Sequence, residues 1–433
     1  MIIYFNKKVF FDIFLLVFLF FLIAIKSLNA CSNIFLDNQQ YIIEARTLDF
    51  PIELLDSKNQ AYSWYTKLPI YQTYIKKLLN HAFSYKKGYL NTTHISNIVI
   101  DSNSVPINQL AHWNNRYGYF GRKGFIGDNL LDGINSEGLS ISAMFHPGSI
   151  YPKFNPNDPR PVLSVYDTSD FVLGSAKTTK EAINLLKQYQ IVESALKAVP
   201  GIFIKDIPVH LSIRDVNGDS AVVEFINAQV VIHSIGNVIT NAPSYQSQIQ
   251  NAVHYRNLLG DNSQVSSFCP DNFNTLTIKN NSYSYIEKAK FSMLLALPEG
   301  TSSIERFIRA NTLLNHLPPI KNNQEAIYQA KLIIDQLIVA EEVTSETLWV
   351  TLKDLKNKKI YYKDLYNYKS RTSIPEAVNH QYQIFDLNEM NFNSSHSFKK
   401  DIYHNERVKA IYSLYDIPGI NSYFINDQFV LSD

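Results

Sequence analysis

Cysteine is nearly absent from this chain: Cys31 and Cys269 are the only two among 433 residues. Two thiols in so long a chain exclude a disulfide scaffold, and no Cys-x-x-Cys pair or Cys/His cluster at zinc spacing occurs. Net charge is lacking too, with Lys+Arg 40 against Asp+Glu 39. That leaves no surplus for gripping a polyanion and argues against a dedicated nucleic-acid partner. Also missing are Gly-x-Ser-x-Gly, a P-loop, a dinucleotide fingerprint and His-Glu-x-x-His, so neither a nucleotide nor a metal cofactor is implied. Ser397-Phe398-Lys399-Lys400 has Ser-x-x-Lys spacing, but its Ser-Asp-Asn and Lys-Thr-Gly partners are absent, and the match is chance. No repeat or low-complexity linker marks a domain boundary. What the chain does have is apolar matter, with hydrophobic residues at 45% and aromatics at 13%. This suits a sizeable core and is incompatible with a disordered or collagenous chain.

At the N-terminus Lys7 and Lys8 precede an apolar run, Ile13 to Ile25, thirteen residues long. A membrane helix wants about 20 such residues and a signal h-region about 7–15. Residues 1–30 therefore read as an export signal, with Lys26-Ser27-Leu28-Asn29 as the polar stretch and Ala30 at the cut. The expectation is a periplasmic or secreted protein whose mature chain, 31–433, begins at Cys31. Three readings of Cys31 compete. It is an ordinary small residue if the cut falls elsewhere. It is the anchor of a surface lipoprotein if Leu28-Asn29-Ala30-Cys31 serves as a lipoprotein box, where Asn29 fits poorly. Or it is an N-terminal nucleophile whose freed α-amine, with a reference pKa of ~7.7–8.0, accepts the thiol proton. Lipidation and catalysis exclude each other.

From Cys31 the chain reads as strand Cys31–Leu36, turn Asp37–Gln40 and strand Tyr41–Arg46, a hairpin with the cysteine at its outer end. The cysteine, the hairpin and then Arg46-Thr47-Leu48-Asp49 resemble the opening of the choloylglycine hydrolase family of linear-amide hydrolases, which includes bile salt hydrolases and penicillin V acylases. Thr47 departs from the family's usual asparagine. Three further landmarks follow in order. Asp132-Gly133-Ile134-Asn135-Ser136-Glu137-Gly138-Leu139 is similar to the family's Asp-Gly-x-Asn-x-x-Gly-Leu turn, with Ser140 to Met144 as the strand behind it. Ile239-Thr240-Asn241-Ala242-Pro243 is similar to its Thr-Asn-Ser-Pro segment. Glu305-Arg306-Phe307-Ile308-Arg309 is similar to the start of a late helix. The resemblance runs from Cys31 to roughly Lys363.

The resemblance implies an α+β fold, a four-layer αββα sandwich of the N-terminal nucleophile class forming one domain. The residues are compatible with that. His210–Arg214, a turn at Asp215–Asp219, Ala221–Ile226, Val230–Ser234 and Val238–Thr240 read as a strand meander. Thr178 and Glu181 have capping-box spacing before a helical pattern at Ala182, Ile183, Leu185 and Leu186. Ala326, Ile327, Ala330, Ile333, Ile334, Leu337 and Ile338 form a second helical stripe. Trp349–Leu352, a turn near Asn357 and Ile360–Tyr362 read as a hairpin, and strands and helices in blocks favour α+β.

By family position Cys31 is the nucleophile, Asn241 an oxyanion donor, Asp49 the partner of the N-terminal ammonium, and Arg46 and Arg306 the cations that favour the thiolate. The plain alternatives are a turn residue for Asn241, a helix-surface charge for Arg306 and a solvated ion pair for Arg46 and Asp49. Met144-Phe145-His146-Pro147 places Met144 and Phe145 at the substrate. Bile salt hydrolases carry an asparagine where Phe145 falls and penicillin V acylases an aromatic, which favours the latter branch.

The substrate is then a small acyl amide, of the penicillin V or N-acyl homoserine lactone kind. The alternatives are a conjugated bile salt, a fatty amide in the acid ceramidase manner, or no substrate at all in a lipoprotein. His146 reads as a packed or solvated histidine and Cys269 as a spectator. The aromatic-rich stretch 51–113 is a pocket-loop insertion, an oligomer contact or a core segment, and the tail from about 392 has no place.

Overall fold

The computed structural model describes residues 31–50, 81–85, 90–92, 105–123, 130–193, 195–199, 202–205, 208–258, 297–339, 346–367, 372–373, 382–392 and 399–401. The signal segment, Cys269 and most of 51–104 lie outside them. Two large antiparallel sheets dominate. Their strands, in chain order, begin with β1 (Ser32–Asp37), β2 (Ile42–Phe50), β3 (His81–Tyr85), β4 (Tyr119–Lys123), β5 (Leu130–Asn135), β6 (Ser140–Phe145) and β7 (Val209–Arg214). They continue with β8 (Ser220–Ile226), β9 (Gln229–Ser234), β10 (Val238–Thr240), β11 (Glu346–Asp354), β12 (Lys359–Asp364), β13 (Gln383–Asp386) and β14 (Lys399–Asp401). The six-stranded sheet runs β10-β1-β2-β11-β12-β13, and the eight-stranded sheet runs β9-β8-β7-β6-β5-β4-β3-β14.

The helices are α1 (Thr168–Ser175), α2 (Thr179–Leu186), α3 (Tyr245–Leu258), α4 (Ser303–Asn315) and α5 (Asn323–Asp335). Alternation along the strands separates four layers. Ile34, Leu36, Ile43, Ala45, Val350 and Leu352 point outward from the six-stranded sheet and pack with Phe307, Ile327 and Ile334 of α4 and α5. Ile141, Leu211, Ile213, Val223 and Phe225 point outward from the other sheet and pack with Phe171, Val172, Ala182 and Leu186 of α1 and α2. Phe35, Ile42, Phe120, Ile134, Tyr362 and Phe385 fill the space between the sheets. The expected αββα sandwich is the observed one. No helix among the described residues is long and apolar enough to cross a membrane.

Two expectations need correction, and one unplaced segment finds its position. The stretch Val238–Thr240 does not continue the meander β7-β8-β9. It crosses to the other sheet and pairs with β1, because residues 235–237 release the chain at the end of β9. Thr178 caps α2 by accepting from Glu181 N at 3.2 Å. Glu181 does not close the box on Thr178, for its carboxylate takes Lys177 N at 3.0 Å and Arg116 at 2.8 Å instead. The tail, unplaced from sequence, supplies β14, which pairs with β3 at one edge of the eight-stranded sheet, so part of 51–113 and part of the tail complete the same sheet.

The Asp-Gly-x-Asn-x-x-Gly-Leu stretch acquires a physical account. Asn135 Oδ1 accepts from Glu137 N and Leu139 N, each at 3.0 Å, while Nδ2 donates to Leu173 O at 3.0 Å and Ala176 O at 2.7 Å. Gly138 takes φ +83, a left-handed conformation that costs a residue with a Cβ energy. One side chain thus holds the β5–β6 turn and ties it to α1.

Candidate active site

Cys31 immediately precedes β1 and is 3% exposed, with Sγ 4.0 Å from Arg46 Nη2. The hairpin explains this proximity. Its register sets Asn33 opposite Arg46 and Ser32 opposite Thr47. Alternation turns Cys31, Asn33 and Arg46 toward the second sheet, and Ser32, Thr47 and Asp49 toward the helices. The site therefore straddles one strand end, with the thiol on one face and a carboxylate on the other.

On the inner face Arg46 donates to Leu131 O at 2.7 Å, to Asp132 Oδ1 at 3.3 Å and to Ala143 O. Its guanidinium lies 5.3 Å from the centre of the Trp349 ring. Burial works against the Arg46 charge, but Asp132 and then Cys31 more than offset it, and its pKa stands above the ordinary arginine value. Asp132 in turn receives Lys353 Nζ at 2.6 Å, and Lys353 lies 3.3 Å from Glu44. Glu44 accepts from Asn33 Nδ2, and Asn33 Oδ1 accepts from Arg214 Nε at 2.9 Å. All six of these side chains are fully buried, so the charge beneath Cys31 is held by pairing rather than by water.

On the helix face Asp49 accepts from Thr347 Oγ1 at 2.6 Å and from Thr47 Oγ1 and Arg306 Nη1, each at 3.4 Å. Burial pushes its carboxyl up to about 7, against the opposing pull of Arg306 and the two threonine hydroxyls. Arg306 Nη1 also donates to Ser32 Oγ, and Nε donates to Thr301 O at 2.9 Å. Burial lowers the Arg306 pKa, with Asp49 and Cys31 acting the other way. The surface-charge alternative for Arg306 fails, since the residue is fully buried.

Arg306 reaches this point because Ser302 and Glu305 form a capping box at the start of α4, with both return bonds at 3.3 Å. That cap is a Ser-x-x-Glu signal readable in the sequence. Thr47 replaces the family's asparagine with a hydroxyl that accepts from Ser32 N at 3.0 Å and donates toward Asp49.

Asn241 follows β10, whose register pairs Thr240 with Ser32, so it falls opposite Cys31. It is 3% exposed and its Oδ1 has no hydrogen-bond partner. The backbone around it is clamped from a distance. Gln248 Oε1 accepts from Thr240 N at 3.0 Å, and its Nε2 donates to Thr240 O at 2.9 Å and Pro243 O at 2.7 Å. Ser303 Oγ accepts from Ala242 N at 3.0 Å. Gln248, Ser303 and Thr347 are the supporting residues that sequence reasoning missed. Gln248 and Ser303 have no local pattern to announce them, whereas Thr347 lies two residues before the expected strand Trp349–Leu352.

Met144 is fully buried in the same apolar cluster as Cys31. Phe145, half-buried, pairs with Val209 and by alternation turns to the other face. The structure thus gathers Cys31, Arg46, Asp49, Asn241, Arg306 and Met144, but turns Phe145, expected at the substrate, to the opposite face of the sheet because it is one residue out of phase with Met144. His146 is packed, 3% exposed.

A cysteine opening an inner strand of an αββα sandwich, ringed by an arginine, a carboxylate and an amide, defines the N-terminal nucleophile hydrolase fold. Residues 31–390 match the family model of linear amide C–N hydrolases, choloylglycine hydrolase family, and the chain belongs to that family. It is 34% identical over 145 residues to a penicillin V acylase of Pectobacterium atrosepticum, a match covering 32% of this chain and 38% of that relative. The chain therefore aligns with less than half the length of that relative. Its fold is similar to that of penicillin V acylase from Agrobacterium tumefaciens, at TM-score 0.58 and 19% identity over 86% of this chain and 91% of that one. It is also similar to a variant of conjugated bile acid hydrolase from Clostridium perfringens, at TM-score 0.56 and 17% identity over 86% and 97%.

Proposed function

We propose that the protein is an exported cysteine hydrolase that cleaves the linear amide bond of an acyl amide, as one domain spanning 31–433. The observation that carries this is the strand-end arrangement: Cys31 Sγ beside Arg46 on one face, the Asp49–Arg306 pair on the other, and Asn241 directly across. In the uncut chain the Cys31 nitrogen is a peptide N–H and cannot act as a base. Cleavage after Ala30 converts it to an α-amine lying between the thiol and the Asp49 side, and export to the periplasm or beyond would supply that cut.

The freed amine takes the thiol proton and Sγ adds to the amide carbon, moving the C=O electron pair onto oxygen. Collapse breaks the C–N bond, and the leaving amine takes its proton from the N-terminal ammonium. Water, deprotonated by the same α-amine, then hydrolyses the acyl-thioester to a carboxylic acid and restores the thiol. Asn241 Nδ2 donates to the oxyanion, joined by a backbone N–H. Arg46 stabilises the thiolate, Asp49 receives the ammonium, and Arg306 holds Asp49 in place. No step requires a cofactor.

Met144, in the buried cluster with Cys31, contacts the acyl group, whereas Phe145 faces away from it. The penicillin V acylase relative favours a penicillin V-like or N-acyl homoserine lactone-like substrate over a conjugated bile salt. Mass analysis of the exported chain should give a free Cys31 N-terminus. Amine release from a panel of acyl amides should vanish in Cys31→Ala while folding persists. A lipid-modified Cys31, or turnover retained by Cys31→Ala, refutes the proposal.

A further inference from the structure

Beside Met144, on the same inner face of the eight-stranded sheet, lies a second polar group that the hydrolytic reaction does not use. The β6–β7 register sets His210 against Met144, and the β7–β8 register, extended by one pair, sets His210 against Glu224. His146 follows β6 by one residue. The ligand-capable atoms of His146, His210 and Glu224 all lie within 4.8 Å of one another, and the two imidazoles stack at 5.0 Å with an interplanar angle of 14°. His146 is 3% exposed and the other two are fully buried. On the neighbouring strand, His233 Nε2 stands 3.7 Å from Glu224 Oε2.

The hydrogen bonds around this group leave lone pairs pointing into it. Neither ring nitrogen of His210 has a hydrogen-bond partner, nor has Glu224 Oε2. His210 Nδ1 is 3.7 Å from Glu224 Oε1, beyond hydrogen-bond range. Ser149 Oγ donates its one proton to Val209 O at 2.9 Å, so at 3.0 Å from His146 Nδ1 it can only accept. His146 therefore carries its proton on Nδ1 and presents a free lone pair at Nε2. Glu224 Oε1 accepts from Tyr245 N at 2.9 Å, which orients the carboxylate and leaves Oε2 open. His146 and Glu224 thus each have an outer hydrogen bond of the kind that orients metal ligands, whereas His210 has none. Buried polar atoms without partners otherwise cost stability.

We propose that His146, His210 and Glu224 bind one zinc ion, with water as the fourth ligand. Two imidazoles and a carboxylate suit zinc, whose bonds of about 2.0–2.2 Å place tetrahedral ligand atoms about 3.3 Å apart. Binding would draw in the three ligand atoms, which lie within 4.8 Å of one another. The ion would tie β6, β7 and β8 together next to Met144 and stabilise the wall of the acyl pocket. It takes no part in bond cleavage.

The test uses the full chain, purified without chelator or immobilised metal. Wild type should carry about one zinc per chain and lose melting temperature when a chelator strips it. Cobalt(II) added to the stripped protein should give the intense visible bands of a tetrahedral site. Glu224→Gln, which keeps the shape and the Tyr245 hydrogen bond, should weaken zinc binding at least tenfold. Cys31→Ala should bind as wild type does. His146→Ala, a change just beyond the end of β6, should remove the tetrahedral cobalt bands even if Glu224→Gln fails to fold. A wild type that takes up no zinc in the micromolar range overturns the site, as do cobalt bands unchanged in His146→Ala.

Discussion

Replacing Asn241 with alanine separates catalysis from stability more sharply than any other single change in this site. The side chain is 3% exposed and its Oδ1 is buried without a partner, a state that costs about 1–3 kcal/mol in a folded protein. Truncation removes that cost. It also leaves the backbone in place, because Gln248 and Ser303 grip Thr240, Ala242 and Pro243 by their main-chain atoms. The folded state of Asn241→Ala should therefore be as stable as wild type or up to about 1 kcal/mol more stable. Its kcat should nonetheless fall about 10²–10³-fold, the ~2.7–4 kcal/mol typical of one oxyanion donor.

Urea unfolding, together with steady-state kinetics on the best acyl amide, reads both numbers. The decisive split is kcat against KM, since an interaction made only in the transition state lowers kcat and kcat/KM alike. A kcat within tenfold of wild type, or an effect confined to KM, refutes the oxyanion role. A large loss of stability refutes the clamp.

Two further outcomes follow from the charges on either side of β2. Lys353→Met strips the buried partner from Asp132 and Glu44, and urea unfolding should register a loss of about 3–5 kcal/mol. A loss below about 1 kcal/mol would show that Arg46 alone suffices for Asp132. For Asp49, burial raises the folded pKa from 3.8 to about 7, so between those values the folded state holds a proton that the unfolded state has lost. Its contribution to stability is complete below pH 3.8 and is lost as pH rises through about 7, with a limiting slope of about −1.4 kcal/mol per pH unit. Asp49→Asn should remove that slope from the stability–pH curve, and parallel curves for variant and wild type would contradict the assigned burial cost.

Several parts of the site were legible because they are local. Residues 31–49 form one hairpin, and its period of two already places Cys31 and Arg46 on one face and Asp49 on the other. The Asn135 turn, the Thr240–Pro243 segment and the start of α4 each carry their chemistry within a few residues. Boundaries shifted slightly, with β1 running Ser32–Asp37 and β2 extending to Phe50. The crossing of β10 to the other sheet was not legible, because Val238–Thr240 has the same apolar alternation in either sheet. Nor was the clamp by Gln248, a polar residue on a helix whose role depends on what packs against it. His146 illustrates the same limit, since only the fold brings His210 and Glu224 to its side.

What the sequence determined by itself is the immediate setting of Cys31: a cysteine followed by a hairpin that places an arginine on its own face and a carboxylate on the other. What only the tertiary structure decided is which distant groups close the site. Asn241, Arg306 and Thr347 lie more than two hundred residues from Cys31 and arrive through sheet pairing and a helix cap. Hairpin register is set by neighbours in the chain and can be read from alternation. Pairing between distant strands and the burial of their charges depend on how whole layers stack, which local patterns do not encode.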